Sequence, residues 1–151
     1  MGSVTPVPSA AEDSHNPALA MFADDVASKS LGIELLEAGH GAARTRMRIT
    51  ASMVNGHDIA HGGYLFLLAD TTFACACNSE GPVTVASGAE ITFVAPARLG
   101  DELIATATER TRYGRNGIYD VTVHRVDEDG STVVAEFRGR SRSLRPDRND
   151  E

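Results

Sequence analysis

One stretch constrains this chain more than any other: His61 to Asn78, reading His-Gly-Gly-Tyr-Leu-Phe-Leu-Leu-Ala-Asp-Thr-Thr-Phe-Ala-Cys-Ala-Cys-Asn. After Gly62-Gly63 its only charge is Asp70. Leu65, Leu68, Thr72, Phe73 and Ala76 share one helical face, while Phe66, Leu67, Ala69 and Ala74 keep the other face apolar too. A helix apolar nearly all round has to be wrapped by something else. At about 16 residues, with a polar end, it is too short to span a bilayer. Two features do not suit a purely structural core helix. The glycine pair at its start weakens the helix but lets a ligand approach the free N–H groups of the first turn. A carboxylate at Asp70 is costly to bury unless it is paired or functional. The plainer alternative is that Asp70 bonds Thr71 or nearby backbone and the glycines only shape a turn.

The chain around this helix predicts an antiparallel sheet. Asn16-Pro17 is a helix start, with Leu19, Phe22 and Val26 at helical spacing and Gly32 as the stop. Ile33 to Leu36 and Ala42 to Thr50 read as strands around an Ala38-Gly39-His40-Gly41 turn. Arg44, Arg46 and Arg48 alternate with Thr45, Met47 and Ile49, the pattern of a solvated sheet face or, less commonly, a phosphate-binding row. Met53 to Ala60 is a loop. Four strands follow, Thr84 to Val94, Leu103 to Arg112, Ile118 to Val126 and Thr132 to Leu144, with Asn116-Gly117 and Asp129-Gly130 marking tight hairpins. The fold class expected is α+β, one sheet curled around one long helix. Such an arrangement leaves sheet edges and apolar surface, so at least a dimer is expected. Residues 16–145 form the single domain; 1–15 and 146–151 read as tails.

Composition removes several functions. A formal net charge of −7 with no Lys/Arg cluster argues against a nucleic-acid partner. The first 15 residues lack the apolar core of a signal peptide, and no membrane segment is read. Cys75 and Cys77 point to different sides of a helix and cannot easily bridge, which suits a reducing cytoplasm. His57, Asp58 and His61 lack a metal-site framework and a further ligand, so no metal is expected. No Gly-x-Ser-x-Gly elbow supports a serine triad.

His61-Gly62-Gly63, Asp70 and Ala76-Cys77-Asn78-Ser79, with Asn55-Gly56-His57 upstream, resemble the hotdog-fold thioesterases of the phenylacetic acid degradation (PaaI-type) family. The resemblance covers about residues 20 to 143 and implies a hotdog fold, an acyl-CoA substrate and no cofactor, coenzyme A being part of the substrate. Gly62 and Asp70 are eight residues apart, roughly 12 Å along one helix, so one carbonyl cannot touch both. Two copies with their central helices antiparallel would bring the amide end of one near Asp70 of the other, as the resembling family is built. A homodimer is then the minimum active unit, and a homotetramer is expected.

Roles follow from that arrangement. The N–H of Gly62 or Gly63 would hold the thioester oxyanion, and Asp70 would act as general base or as nucleophile. Asn55 would orient the water or the carbonyl, and His61 would donate to the same oxygen or hold the loop. Ser87, or else Thr84, would supply a hydroxyl near the site. The resemblance implies phenylacetyl or hydroxyphenylacetyl as the acyl group, with Tyr64, Phe66 and Phe73 as candidate pocket walls. Arg98, Arg115 and Arg140 are candidates for the coenzyme A phosphates. The competing readings are a medium- or long-chain fatty acyl thioesterase, a non-catalytic acyl-CoA binding subunit and, less favoured, a hotdog dehydratase.

Overall fold

A computed structural model describes residues 16–144; both tails read from the sequence lie outside them. Six strands form one antiparallel sheet: β1 (Glu34–Gly39), β2 (Ala42–Arg48), β3 (Thr84–Phe93), β4 (Glu102–Tyr113), β5 (Asn116–Asp127) and β6 (Gly130–Ser143). Their order is β1-β2-β4-β5-β6-β3, so β1 and β3 are the edges. The long helix α3 (Gly62–Cys77) lies on one face, against β2, β4, β5, β6 and β3. This is the hotdog arrangement, as the alternation of strand residues and the all-round apolar helix require.

Alternation decides what reaches the helix. Val121, Val123, Ala135 and Phe137 point inward and are almost fully buried. The Phe73 ring lies over Gly139, where an added Cβ would meet three ring atoms at 2.8 Å. The polar groups inside this core are paired. Thr72 donates its hydroxyl proton to the Leu68 carbonyl at 2.7 Å, so Thr45, 2.7 Å from Thr72, is the donor in that pair.

The N-terminal segment forms two short helices, α1 (Pro17–Ala23) and α2 (Val26–Ser30), where one had been expected. Asn16 caps α1. The chain then breaks at Asp24-Asp25, because Asp25 is itself an N-cap, accepting the Ser28 N–H at 3.0 Å and the Ser28 hydroxyl at 2.6 Å. Val26, read as a core position, is exposed. The β1–β2 turn contracts to His40 and Gly41, with φ of 52° and 77°, the geometry of a type I′ hairpin. On β2 the arginines meet local acceptors: Arg44 pairs with Glu37, Arg46 with Glu34 and Glu102, and Arg48 donates to the Gly100 carbonyl. This is the solvated face, already paired.

The hairpin at Asn116-Gly117 is displaced. Tyr113 pairs with Asn116, so the turn is Gly114-Arg115 and Asn116-Gly117 open β5. Gly117 is needed there for space, since a Cβ would lie 2.7 Å from Ser141 Oγ and 2.9 Å from the Tyr119 ring. Between β5 and β6, Asp127 pairs with Gly130.

The C-terminus of α3 is fixed to the sheet by the two residues after it. Asn78 Nδ2 donates to the Ala74 carbonyl (2.9 Å) and the Thr84 carbonyl (2.8 Å), and Asn78 Oδ1 accepts the Thr84 N–H (2.9 Å). Ser79 donates to the Ala76 carbonyl and accepts the Gly41 N–H, tying in the β1–β2 turn. Asn78→Ala strands buried backbone groups and is expected to destabilise the fold by about 3 kcal/mol in urea titrations.

Candidate active site

α3 is covered unevenly. Leu65, Leu68, Ala69, Thr72, Phe73 and Ala76 are buried, whereas Gly63, Phe66, Leu67, Asp70 and Ala74 keep solvent access. These last recur at spacings of three and four and form one stripe along the helix. The stripe is apolar except at its centre, where Asp70 stands half-buried. Among the described residues nothing hydrogen-bonds or ion-pairs with its carboxylate. The plainer alternative, a bond to Thr71, does not hold: Thr71 faces Ser28 at 2.7 Å. With the Ser28 proton committed to Asp25, Thr71 is the donor, and this chain locks α2 beneath the middle of α3. Burial, and then the charge of nearby Asp25, pushes the Asp70 carboxyl above its ordinary value.

The start of α3 is shaped by His61. Its Nδ1 accepts the Gly63 N–H at 2.9 Å, making the imidazole an N-cap. That occupies the Gly63 amide and narrows the pair of candidate donors to Gly62, whose N–H has no acceptor among the described residues. His61 is fixed further by its own N–H, which donates to the Met53 carbonyl at 2.8 Å. Asn55 Oδ1 accepts from His57 N (2.9 Å) and Ile59 N (3.3 Å), so its carbonyl end folds the loop and only its NH₂ is left to face a ligand.

Asn55, Ala60, Gly62, Leu65, Phe93 and Ala97 line a cleft of about 530 Å³, and Asp70 is not among its walls. The structure thus brings Asn55 and Gly62 together within one chain and leaves the carboxylate apart. A larger depression of about 870 Å³ lies on the other side of the sheet. Its cations are already held, Arg138 and Arg110 by Asp120 and Arg140 by Glu90, and it contains neither Gly62 nor Asp70.

The other candidates separate clearly. Phe73 is core, 1% exposed, and packs on Tyr119 and Phe137, so it lines no acyl pocket. Phe66 lies edge-on to Phe137. Tyr64 packs against the core with its ring nearly perpendicular to that of His61, outside the cleft. Arg140 faces away from α3, because β6 alternates it with inward Gly139 and Ser141, and it pairs with Glu90. Arg115 lies in the β4–β5 turn and its carbonyl accepts Ser143 N–H, at the end of the sheet where Thr84 meets Asn78, far from Gly62. Arg98 directly follows Ala97 of the cleft wall, is exposed, and makes no ion pair among the described residues. The Thr84 hydroxyl donates to Pro82 O and lies 2.9 Å from Ser143 Oγ, so it is engaged at the C-terminal end of α3. Ser87 sits on a bulge of β3 between Ala86 and Gly88 and donates to the Arg140 carbonyl at 3.2 Å. β3 runs from Asn78 at one end of α3 to Gly62 at the other, so this bulge is near the level of Asp70.

Sequence reasoning missed Phe93. Its ring tip rests on Gly62, where an added Cβ would lie 2.7 Å from Cζ. The missed signal was a large apolar residue ending an edge strand just before Pro96. Cysteine chemistry does not compete with Asp70: burial raises both thiols to about 12, and both are unbridged. Among the described residues no three His, Cys, Asp or Glu side chains come together as a metal site.

A six-stranded antiparallel sheet wrapped round one long helix is the hotdog fold. The sequence model of the thioesterase superfamily matches residues 57–132. The acyl-coenzyme A thioesterase PaaI of Escherichia coli is 45% identical over 125 residues, 83% of this chain and 87% of that protein. The structure of the E. coli PaaI protein from the phenylacetic acid degradation operon superposes with a TM-score of 0.80 at 43% identity, covering 85% of this chain and 91% of that one. A variant of the phenylacetic acid degradation protein PaaI from Thermus thermophilus gives 0.72 at 32% identity, over 78% and 97%. The chain belongs to the thioesterase superfamily, among its PaaI-type members, and is a thioester hydrolase.

A raised carboxyl pKa has a stability consequence. Because the folded state holds the Asp70 proton more tightly, that contribution favours folding at low pH and is lost as pH rises through the folded value. Asp70→Asn is therefore expected to raise Tm at pH 7. Calorimetric scans should show the gain shrinking as pH falls toward 4, near the ordinary carboxylate range.

Proposed function

We propose that the protein hydrolyses phenylacetyl-CoA or hydroxyphenylacetyl-CoA to the free acid and coenzyme A, at a site shared between two copies and without metal or organic cofactor. The observation that carries this reading is the unpaired Asp70 carboxylate at the centre of an apolar, uncovered helix stripe. A second α3 laid antiparallel on that stripe covers Phe66 and Leu67 and sets Gly62 of the partner subunit near Asp70. The exposed edge beside it, with Val83, Val85 and Val94 open to solvent, supports the same pairing. The expected homotetramer would then hold two such dimers.

In this site the thioester carbonyl oxygen accepts from the Gly62 N–H, at the positive end of the helix dipole. Asp70 takes a proton from water as the water oxygen bonds to the carbonyl carbon. The tetrahedral oxyanion then collapses, the C–S bond breaks and the coenzyme A thiolate leaves, receiving the proton held by Asp70. The alternative path has the Asp70 carboxylate attack the carbonyl carbon, the C–S bond breaking as the coenzyme A thiolate leaves; water then opens the mixed anhydride to the free acid and restores Asp70. The Asn55 NH₂, left over once Oδ1 folds the loop, would orient the carbonyl. Ser87, at the level of Asp70, would accept a hydrogen bond from the water, its own proton going to the Arg140 carbonyl. Arg98 is the best-placed cation for the coenzyme A phosphates, with Arg115 of the partner subunit a second candidate. No helix among the described residues is long and apolar enough to cross a membrane. Two unbridged thiols support a cytoplasmic setting.

Thiol release from a panel of aryl-acetyl, short-chain and long-chain CoA esters tests the assignment. Turnover should be fastest on the aryl-acetyl esters and unchanged by chelators. A long-chain preference would replace the substrate, and tight binding without thiol release would make this a binding subunit. Asp70→Asn should fold and lose at least roughly 100-fold in kcat. In the wild type kcat/KM should fall as pH drops through the Asp70 pKa, with that limb above the usual aspartate value of about 3.9. Near-normal turnover in folded Asp70→Asn would reject the mechanism.

A further inference from the structure

We infer that Phe93 sets the acyl preference of this site, its ring forming the wall against which a flat acyl group lies; this rests on the thioesterase reading above. Phe93 is the last residue of β3 and pairs with Ala135, which is fully buried, so its side chain points to the α3 face, as Ala89 and Ile91 do. The core phenylalanines Phe73 and Phe137 are 1% and 3% exposed, whereas Phe93 is 54% exposed. It is an aromatic ring at the mouth of the cleft rather than a buried packing group.

Its position is tightly defined at one point. A Cβ on Gly62 would lie 2.7 Å from Cζ, 3.1 Å from Cε1 and 3.3 Å from Cε2. Only glycine lets the ring tip and the helix start come this close. The residue under the ring is also the one whose amide has no acceptor among the described residues. A carbonyl oxygen bonded to that N–H puts the first carbon of the acyl chain roughly 5 Å from the nitrogen, within reach of the ring. An acetyl group ends there. A phenylacetyl group continues, and its ring meets Phe93 in an offset or edge-on contact. The opposite wall, Asn55 to Ala60, is held by the Asn55 turn and by Ala60 N–H donating to the Ala97 carbonyl at 2.7 Å. The ring is thus the adjustable side of the cleft.

The test compares kcat/KM for phenylacetyl-CoA and acetyl-CoA in wild type, Phe93→Ala and Phe93→Leu. Tyr is no conservative replacement, since its hydroxyl would be aimed at Gly62. Phe93→Ala should lower the phenylacetyl-to-acetyl ratio on the order of 5-fold, mostly through KM, because acetyl reaches the ring with one methyl at most whereas the aryl group lays its whole face or edge on it. Phe93→Leu keeps apolar bulk without the flat face and should fall between; it carries the test if the Ala variant does not fold. An equal loss on both esters, or an unchanged ratio, overturns the inference. A wild type that releases no thiol from either ester would instead remove the thioesterase reading. The Phe93 inference is then judged by calorimetric affinities of the non-hydrolysable phenylacetyl and acetyl thioethers of coenzyme A in the same proteins. A selective loss for the aryl thioether supports it, and parallel affinities reject it.

Discussion

The burial of α3 against the concave face of the sheet is the constraint on which the rest depends. It demands a helix apolar on the side that meets β2 to β6, and this chain supplies Leu65, Leu68, Phe73 and Ala76 there. It also demands that the polar C-terminus be satisfied, which Asn78 and Ser79 do by bonding Thr84 and Gly41. What it does not require is that the remaining stripe be apolar. Phe66 and Leu67 there still reach the core, Phe66 through Phe137, yet they keep solvent access beside one unpaired carboxylate. A stripe of this kind makes sense as a surface that meets another copy of itself. In the proposed shared site this carboxylate, costly to bury in the single chain, would gain its use beside a bound thioester.

Most of the architecture was legible because its determinants are local. Period-2 alternation marks the strands, and an uninterrupted apolar run marks α3 whatever surrounds it. The misreadings occurred where a local signal was serving a distant contact. Asn116-Gly117 has the composition of a hairpin turn, yet Gly117 is a glycine because Ser141 across the sheet and Tyr119 on its own strand crowd it. The first helix carries the spacing of one continuous element. It breaks because Asp25 caps a second helix whose Ser28 must reach Thr71, 43 residues away.

The site was legible to a different degree for each residue. Asp70 stood out as a charge in an apolar run, and the glycine pair as an odd helix start. Which glycine keeps its amide depended on the His61 ring, and a ring orientation is not written in residue spacing. Arg140 could have been set aside from the sequence, since it alternates with Gly139 and Ser141 on a strand whose Phe137 faces inward. Phe93 could not have been found that way. Its contact with Gly62 joins two elements through the register of β3 on β6, a bulge included.

The central claim is that the amide of Gly62 and the carboxylate of Asp70 act on one carbonyl from different chains. Complementation measures this directly. Gly62→Pro removes the donor at a first-turn position where proline is tolerated, and the exposed Phe93 ring can swing aside from it. Asp70→Asn removes the base, and each variant alone should be nearly inactive. In a mixed dimer one shared site carries both lesions and the other none. Co-refolding should therefore restore up to about one quarter of wild-type turnover when half the dimers are mixed, by two-fold symmetry. Mixed dimers proven by mass spectrometry that stay inactive would contradict the shared site.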